Sequence, residues 1–290
     1  GNPFFARMFI RSIYNEHLVY YQSGRWIISI DKIALHCPTE NGIDMMAHKI
    51  NQVTGHSREV INLVSCFGDS VQLQIIQLLA KAKMEQLLRY ILRPILDLGY
   101  AYIVEQEPYF EFRWYHDKIR ESVYSLLEPE EKQRLHLYIG KTLLRAHRDK
   151  IGIMVDLFDI VCHLNKAIDL IMNVEHSSES HIAELRECIE LNLLAAQKAE
   201  LSVAHATALQ HLKCAAVYLD GIGDRFAEEN RDLTFRLYKF LGKQYYLCGI
   251  PEEAKKCLDF LLQHSTCSLD TAEILVLRLE RETIRSEFTN

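Results

Sequence analysis

The sequence predicts a mostly α-helical chain: a winged-helix-like domain with a β-hairpin, followed by an extended tetratricopeptide-like α-helical array. Three observations carry this prediction. Glycine and proline supply only 12 and 6 of the 290 residues, and the abundant Leu, Ala, Glu and Lys lose little side-chain freedom in a helix. One central stretch, Tyr100 to Trp114, changes from helical spacing to strict alternation. The last third places small residues where two antiparallel helices need to approach closely.

Residues 3–19 read as a helix, because Pro3 suits a first turn, where a missing N–H costs nothing, and Phe5, Met8, Phe9, Ile13 and Leu18 mark an apolar face. Residues 24–30 read as a strand. Helical spacing returns over 42–53, 57–66, 70–80 and 84–98, the last ending at Gly99. Tyr100, Tyr102 and Val104, then Phe110, Phe112 and Trp114, flank Glu105-Gln106-Glu107-Pro108 as the two arms of a hairpin. Helices followed by such a hairpin are the order of a winged helix. From 117 onward the chain reads as helices over 117–127, 130–148, 153–173, 181–201, 203–219, 226–248, 251–264 and 269–286. The resulting divisions are 1–40, a helix and connector; 41–127, the winged-helix-like domain; and 128–290, the array.

Within the array, Tyr238, Leu241, Gly242, Tyr245, Gly249 and Ala254, with Pro251 between the last two, follow the tetratricopeptide spacing. Gly242 and Ala254 would let two helices touch while Tyr245 fills the groove. Ala195-Ala196, Ala199, Ala208, Leu212 and Ala215 repeat the pattern about 46 residues upstream, against a usual period of about 34.

Composition and motif content narrow the function. The formal net charge is -6 and the pI about 6.1, which does not favour a duplex-binding surface. No apolar run reaches the roughly 18 residues of a membrane span. The eight cysteines form no Cys-x-x-Cys pair and read as buried thiols of a reducing, cytoplasmic setting. There is no Gly-x-x-x-x-Gly-Lys-Ser/Thr loop, no His-Glu-x-x-His and no Gly-x-Ser-x-Gly. Thirteen histidines lack clustered partners, so no metal site and no catalytic residue is expected. Asp220 to Asp224 reads as a turn between helices. The carboxylate pairs Glu130-Glu131 and Glu252-Glu253 follow prolines, where they complement a helix dipole. His116-Asp117 stands between hairpin and helix. Asp117 or His116 there reads as a cap, and an exposed imidazole at a domain edge could donate to a phosphate held by a neighbouring domain.

Gly1-Asn2-Pro3-Phe4-Phe5 resembles the Gly-x-Pro segment that opens the last lid helix of signal-transduction ATPases of the STAND class. Tyr115-His116-Asp117-Lys118-Ile119-Arg120 resembles their Met-His-Asp element, with Tyr115 in place of Met. Phe112, His116, Asp117 and Ile119, then Ser122 to Leu126, Cys162-His163-Leu164-Asn165 and Glu190-Leu191-Asn192-Leu193, are similar to one group. In it a serine/threonine-kinase-like domain precedes an AAA/STAND ATPase, a tetratricopeptide-like region and often a sensor histidine kinase of two-component type. The resemblance spans roughly residues 1–265.

It implies that the chain is a regulatory fragment lying downstream of the phosphate loop, with no cofactor of its own and ATP or ADP bound in the parent. Pro3 would pack near the adenine and His116 would sense a phosphate. The upstream nucleotide-binding domain of the same polypeptide would be one partner, and a protein or peptide on the array the other; neither membrane nor nucleic acid is expected. The fragment would not be an enzyme. The alternative is a winged-helix transcriptional regulator reading DNA through helix 84–98, with Lys81, Lys83, Arg89 and Arg93 on phosphates.

Overall fold

The computed structural model describes residues 3–15, 17–36, 50, 52–106, 109–149, 155–173, 178–223, 230–265, 271–272 and 274–276. These divide between two compact units, residues 1–132 and 133–290. The fold is mostly α, a winged-helix-like unit followed by a tetratricopeptide-like helical array.

The first unit opens with α1 (Pro3–Asn15) and a hairpin, β1 (Val19–Gln22) and β2 (Arg25–Ile28). Gln22 faces Arg25, so the loop is Ser23-Gly24, with φ of 51° and 80°. Two consecutive left-handed residues make the tight turn that matches strand twist. The predicted single strand over 24–30 is thus half of a hairpin, and its supposed first residue is the turn. A short helix, α2 (Ile30–His36), follows. The helix predicted over 42–53 lies largely outside the described residues.

The winged-helix-like part runs α3 (Gly55–Ser65), β3 (Ser70–Gln72), α4 (Leu73–Ala80), α5 (Met84–Gln86), a π-helical turn (Leu87–Ile91), α6 (Arg93–Asp97), β4 (Ala101–Gln106), β5 (Tyr109–Trp114) and α7 (Asp117–Ser125). The antiparallel sheet has the order β3-β5-β4. The predicted helix over 70–80 therefore begins three residues late, because Ser70–Gln72 pairs with Glu111–Arg113. Helix α3 is central, touching α4, α6, α7 and the π turn, and buries Val60, Ile61 and Val64. Phe112 and Trp114 alternate inward from β5, their rings edge to face at 5.3 Å. The predicted helix over 84–98 is broken. Pro94 has no N–H and its ring crowds the carbonyl four residues back, so the chain widens into the π turn, and Leu92 N–H donates to Leu87 O at 2.8 Å.

The second unit begins within α8 (Pro129–Arg148) and continues through α9 (Leu157–Lys166), α10 (Ile168–Met172), α11 (Glu179–Leu201), α12 (His205–Ile222), α13 (Arg231–Leu247) and α14 (Pro251–His264). Neighbours in sequence pack in turn: α11 on α12, α12 on α13, α13 on α14. The predicted helix over 153–173 is two helices that break at Ala167. Asp220 and Gly221, predicted as a turn, end α12, and Met172 of α10 packs against the missing side chain of Gly221. Asp224 and most of 269–286 lie outside the described residues.

The two helical pairs are built alike. Ala195, Ala196 and Ala199 of α11 and Ala208, Leu212 and Ala215 of α12 are all buried, as are Leu241 and Gly242 of α13 and Ala254 and Leu258 of α14; Ala195 packs with Leu157 and Val161 of α9. Each first helix ends in one motif. Ile250 N–H donates to Tyr245 O and Gly249 N–H to Tyr246 O; likewise Ala204 N–H donates to Ala199 O and Val203 N–H to Glu200 O. Gly249 and Val203 hold the left-handed position, at φ 75° and 58°. They stand at the 46-residue interval that the alanine pattern predicts.

Candidate functional site

The corner between β5 and α7 carries His116 and Asp117. His116 is the N-cap of α7, with extended backbone (φ -158°, ψ 143°). Its Nδ1 accepts from Lys118 N–H at 3.1 Å, and Asp117 Oδ1 accepts the same hydrogen at 2.8 Å. Nδ1 and the Asp117 carboxylate also adjoin. A neutral ring that accepts at Nδ1 carries its hydrogen on Nε2, and a charged ring keeps that hydrogen while turning Nδ1–H toward the carboxylate. Nε2–H is therefore a donor in both states. The His116 side chain is 32% exposed. Lys118 Nζ meets Glu121 at 2.6 Å, which holds the first turn of α7 together.

Helix α1 reaches this corner. The guanidinium of Arg7 lies 5.6 Å from the centre of the Tyr115 ring, and Tyr115 meets Tyr102 edge to face at 5.8 Å. Arg11 packs against the backbone at Gly99 so closely that a Cβ there would collide with it. Pro3 begins α1 one turn before Arg7, while its ring lies outside the described residues. Beside α1 opens a cleft of about 860 Å³, lined by Arg7, Ile10, Arg11, Tyr14, Trp26 and Ile28 among others. Ile10, Trp26 and Ile28 are 62%, 60% and 57% exposed. His116 does not line it. The structure thus puts the two predicted site residues on neighbouring elements, with His116 outside that cleft.

The helix proposed as a DNA reader spends its arginines internally. Arg89 pairs with Glu85 at 3.4 Å and Arg93 with Asp97 at 2.9 Å. Lys81 caps α4 in the left-handed conformation (φ 51°), and Lys83 caps α5.

In the array, Tyr238 stacks on Phe260 at 4.2 Å, and Leu241, Gly242 and Ala254 are buried. Tyr245 does not fill the groove. It is half-buried beneath Lys213 of α12, 5.4 Å from the ring centre, and the fully buried residue at that level is Gln244. Gln244 Nε2 donates to Glu200 at 2.7 Å, its Oε1 meets His205 Nδ1 at 3.0 Å, and Lys243 joins Glu200 at 3.0 Å.

Other buried polar pairs escape the sequence pattern altogether. His136 of α8 and His163 of α9 are 1% and 4% exposed, their Nδ1 atoms 2.8 Å apart. Burial lowers both pKa values, to about 4 and about 3, and Lys166 nearby adds to each shift. Both rings are neutral at pH 7, one donating to the other. Asn165 and Asn192 exchange reciprocal amide bonds at 2.8 and 3.0 Å. Among the described residues no group of three His, Cys, Asp or Glu side chains could hold a metal. Cys66, Cys188 and Cys257 are buried thiols, but Cys162 is exposed, contrary to the expectation of burial throughout. No described helix is long and apolar enough to cross a membrane.

No protein-family model matches the chain. A solved STAND protein with a tetratricopeptide repeat sensor, from Pyrococcus horikoshii, aligns with 72% of this chain and 32% of its own, at 17% identity and a TM-score of 0.35. Hybrid signal transduction histidine kinase G of Dictyostelium discoideum is 22% identical over 344 residues, covering 99% of this chain. The chain spans about 10% of that relative's length. Along nearly its whole length, then, this winged helix and helical array is similar to a small part of a signal-transduction histidine kinase.

Proposed function

We propose that the chain is a non-catalytic regulatory and protein-interaction segment of a multidomain signal-transduction ATPase or kinase. The winged-helix unit restrains a nucleotide-binding domain of the same polypeptide, and the helical array receives a partner or ligand. One observation carries the reading. The first unit joins an exposed apolar face, Ile10, Trp26 and Ile28, to a polar corner where Arg7, Tyr115 and His116 adjoin. A surface of that mixture suits a second domain better than water. The similarity to a hybrid histidine kinase supports the signalling context, and stacked helix pairs are an architecture that commonly binds peptides.

The test uses the parent protein. His116→Ala is expected to loosen nucleotide-dependent control, and Trp26→Ala to weaken restraint of the nucleotide-binding domain. An unchanged nucleotide response in both variants removes this corner from the mechanism. The 290-residue chain alone is expected to hydrolyse no ATP and to shift no duplex DNA at low salt; a salt-sensitive shift would favour the DNA reading.

A further inference from the structure

In the second unit, the outer face of α8 and the first turns of α11 stand apart. Helix α8 turns Lys141, Arg145 and Arg148 toward a cleft of about 480 Å³, and the spacing i, i+4, i+7 is one helix face. At the back, α8 and α9 touch at Gly140, where an added Cβ would lie 2.8 Å from the Leu164 side chain. Leu164 and Cys188, each 3% exposed, form the floor of the cleft. Burial pushes the Cys188 thiol up to about 12, so the floor is uncharged.

Two ion pairs cross the cleft. Lys141 Nζ meets Glu184 at 2.7 Å, and Arg148 pairs with Glu187. Arg145 lies along the same face between these two bridges. It is exposed and makes no ion pair among the described residues. The neighbouring cations are paired, so among the described residues the guanidinium of Arg145 is the residual charge of the site. A planar fork of donors beside an apolar floor suits a carboxylate, and the volume lies within the roughly 300–1,000 Å³ of small-molecule sites.

We propose that this cleft binds a compact organic monocarboxylate, its carboxylate on Arg145 and its apolar body against Leu144, Leu164 and Ala183. With Lys141 and Arg148 paired to Glu184 and Glu187, one cation matches one negative charge, and a doubly charged phosphate ester would bring a second charge with no partner. The assignment deepens the proposed ligand-sensing role of the array and rests on it for its biological meaning.

The experiment is a titration of the 290-residue chain with hexanoate, followed by methyl NMR at Leu144, Leu164 and Ala183, with hexanol and inorganic phosphate as comparisons. Hexanoate is expected to shift these methyls saturably. Arg145→Gln is expected to weaken binding by roughly tenfold or more, Arg145→Lys by less, and neither comparison compound to compete. Arg145 is exposed, so both variants keep their fold. Unchanged affinity in Arg145→Gln, hexanol binding as tightly as hexanoate, or no saturable shift with hexanoate overturns the proposal. Because binding is read on the chain itself, such a failure leaves nucleotide control in the parent as a separate question.

Discussion

Val203 holds a backbone conformation that the equivalent turn of the next helix pair gives to a glycine. Its φ of 58° is left-handed, and its β-branched side chain is 74% exposed. The side chain therefore gains little from burial while its Cβ crowds the backbone. Val203→Gly is expected to stabilise the chain by about 1 kcal/mol, and Gly249→Val to destabilise it by a similar or larger amount; denaturant titration reads both. The buried histidines make a second prediction. Their folded pKa values lie below the ordinary 6.5, so below that pH the unfolded chain binds protons that the folded pair refuses. Stability is then complete above about pH 6.5 and falls as the pH drops toward 4, by up to about 1.4 kcal/mol per pH unit for each proton. The double variant His136→Leu with His163→Leu is expected to flatten most of that slope between pH 7 and 5. Some slope remains from His211, which burial also shifts downward.

At the scale of elements, the array is held in register by a few polar ties that cross between helices. Gln244 joins α13 to Glu200 and His205 at the α11–α12 turn, and the two asparagines join α9 to α11. Gln244→Ala removes two hydrogen bonds from a fully buried site and is expected to cost about 1–3 kcal/mol, measured by the shift in denaturation midpoint. The helix pairs and the hairpin were legible because their signal is periodic: alternation through Phe110, Phe112 and Trp114, and alanines at helical spacing. Gln244 and the His136–His163 pair were not, since a polar residue on a helix reads as solvent-facing until its partner on another helix is known. The shared end motif shows the same limit. Helix ends at His17, Lys81, Gly99, Val203 and Gly249 all take the left-handed turn, yet only the two glycines announce it in the sequence. Pro94 announces a break but not its form.

For the whole molecule, the two units offer separate reporters. Both tryptophans, Trp26 and Trp114, lie in the first unit, while the long helices α11 to α14 dominate the second. Gln244→Ala is expected to move the transition seen by circular dichroism without moving the one seen by tryptophan fluorescence. Phe112→Ala, a large-to-small change at a fully buried site, is expected to move the fluorescence transition by about 3–5 kcal/mol. Coincident shifts of both probes in either variant would mean that the units unfold as one. Of the candidate site, the sequence placed His116 and Asp117 at a helix start, because a capping residue between a hairpin and a helix has a local signature.

Composition and period alone decided that this chain is helical, where its hairpin lies, and that its last pairs repeat at about 46 residues. Those properties are set by neighbours in sequence, through side-chain entropy and the alternation of faces. Only the tertiary structure decided that α1 lies against the β5–α7 corner, that His136 meets His163, and that Lys141 and Arg148, on the same face as Arg145, pair with carboxylates of α11. Each of these depends on distances between segments far apart in the chain, and local periodicity carries no information about them.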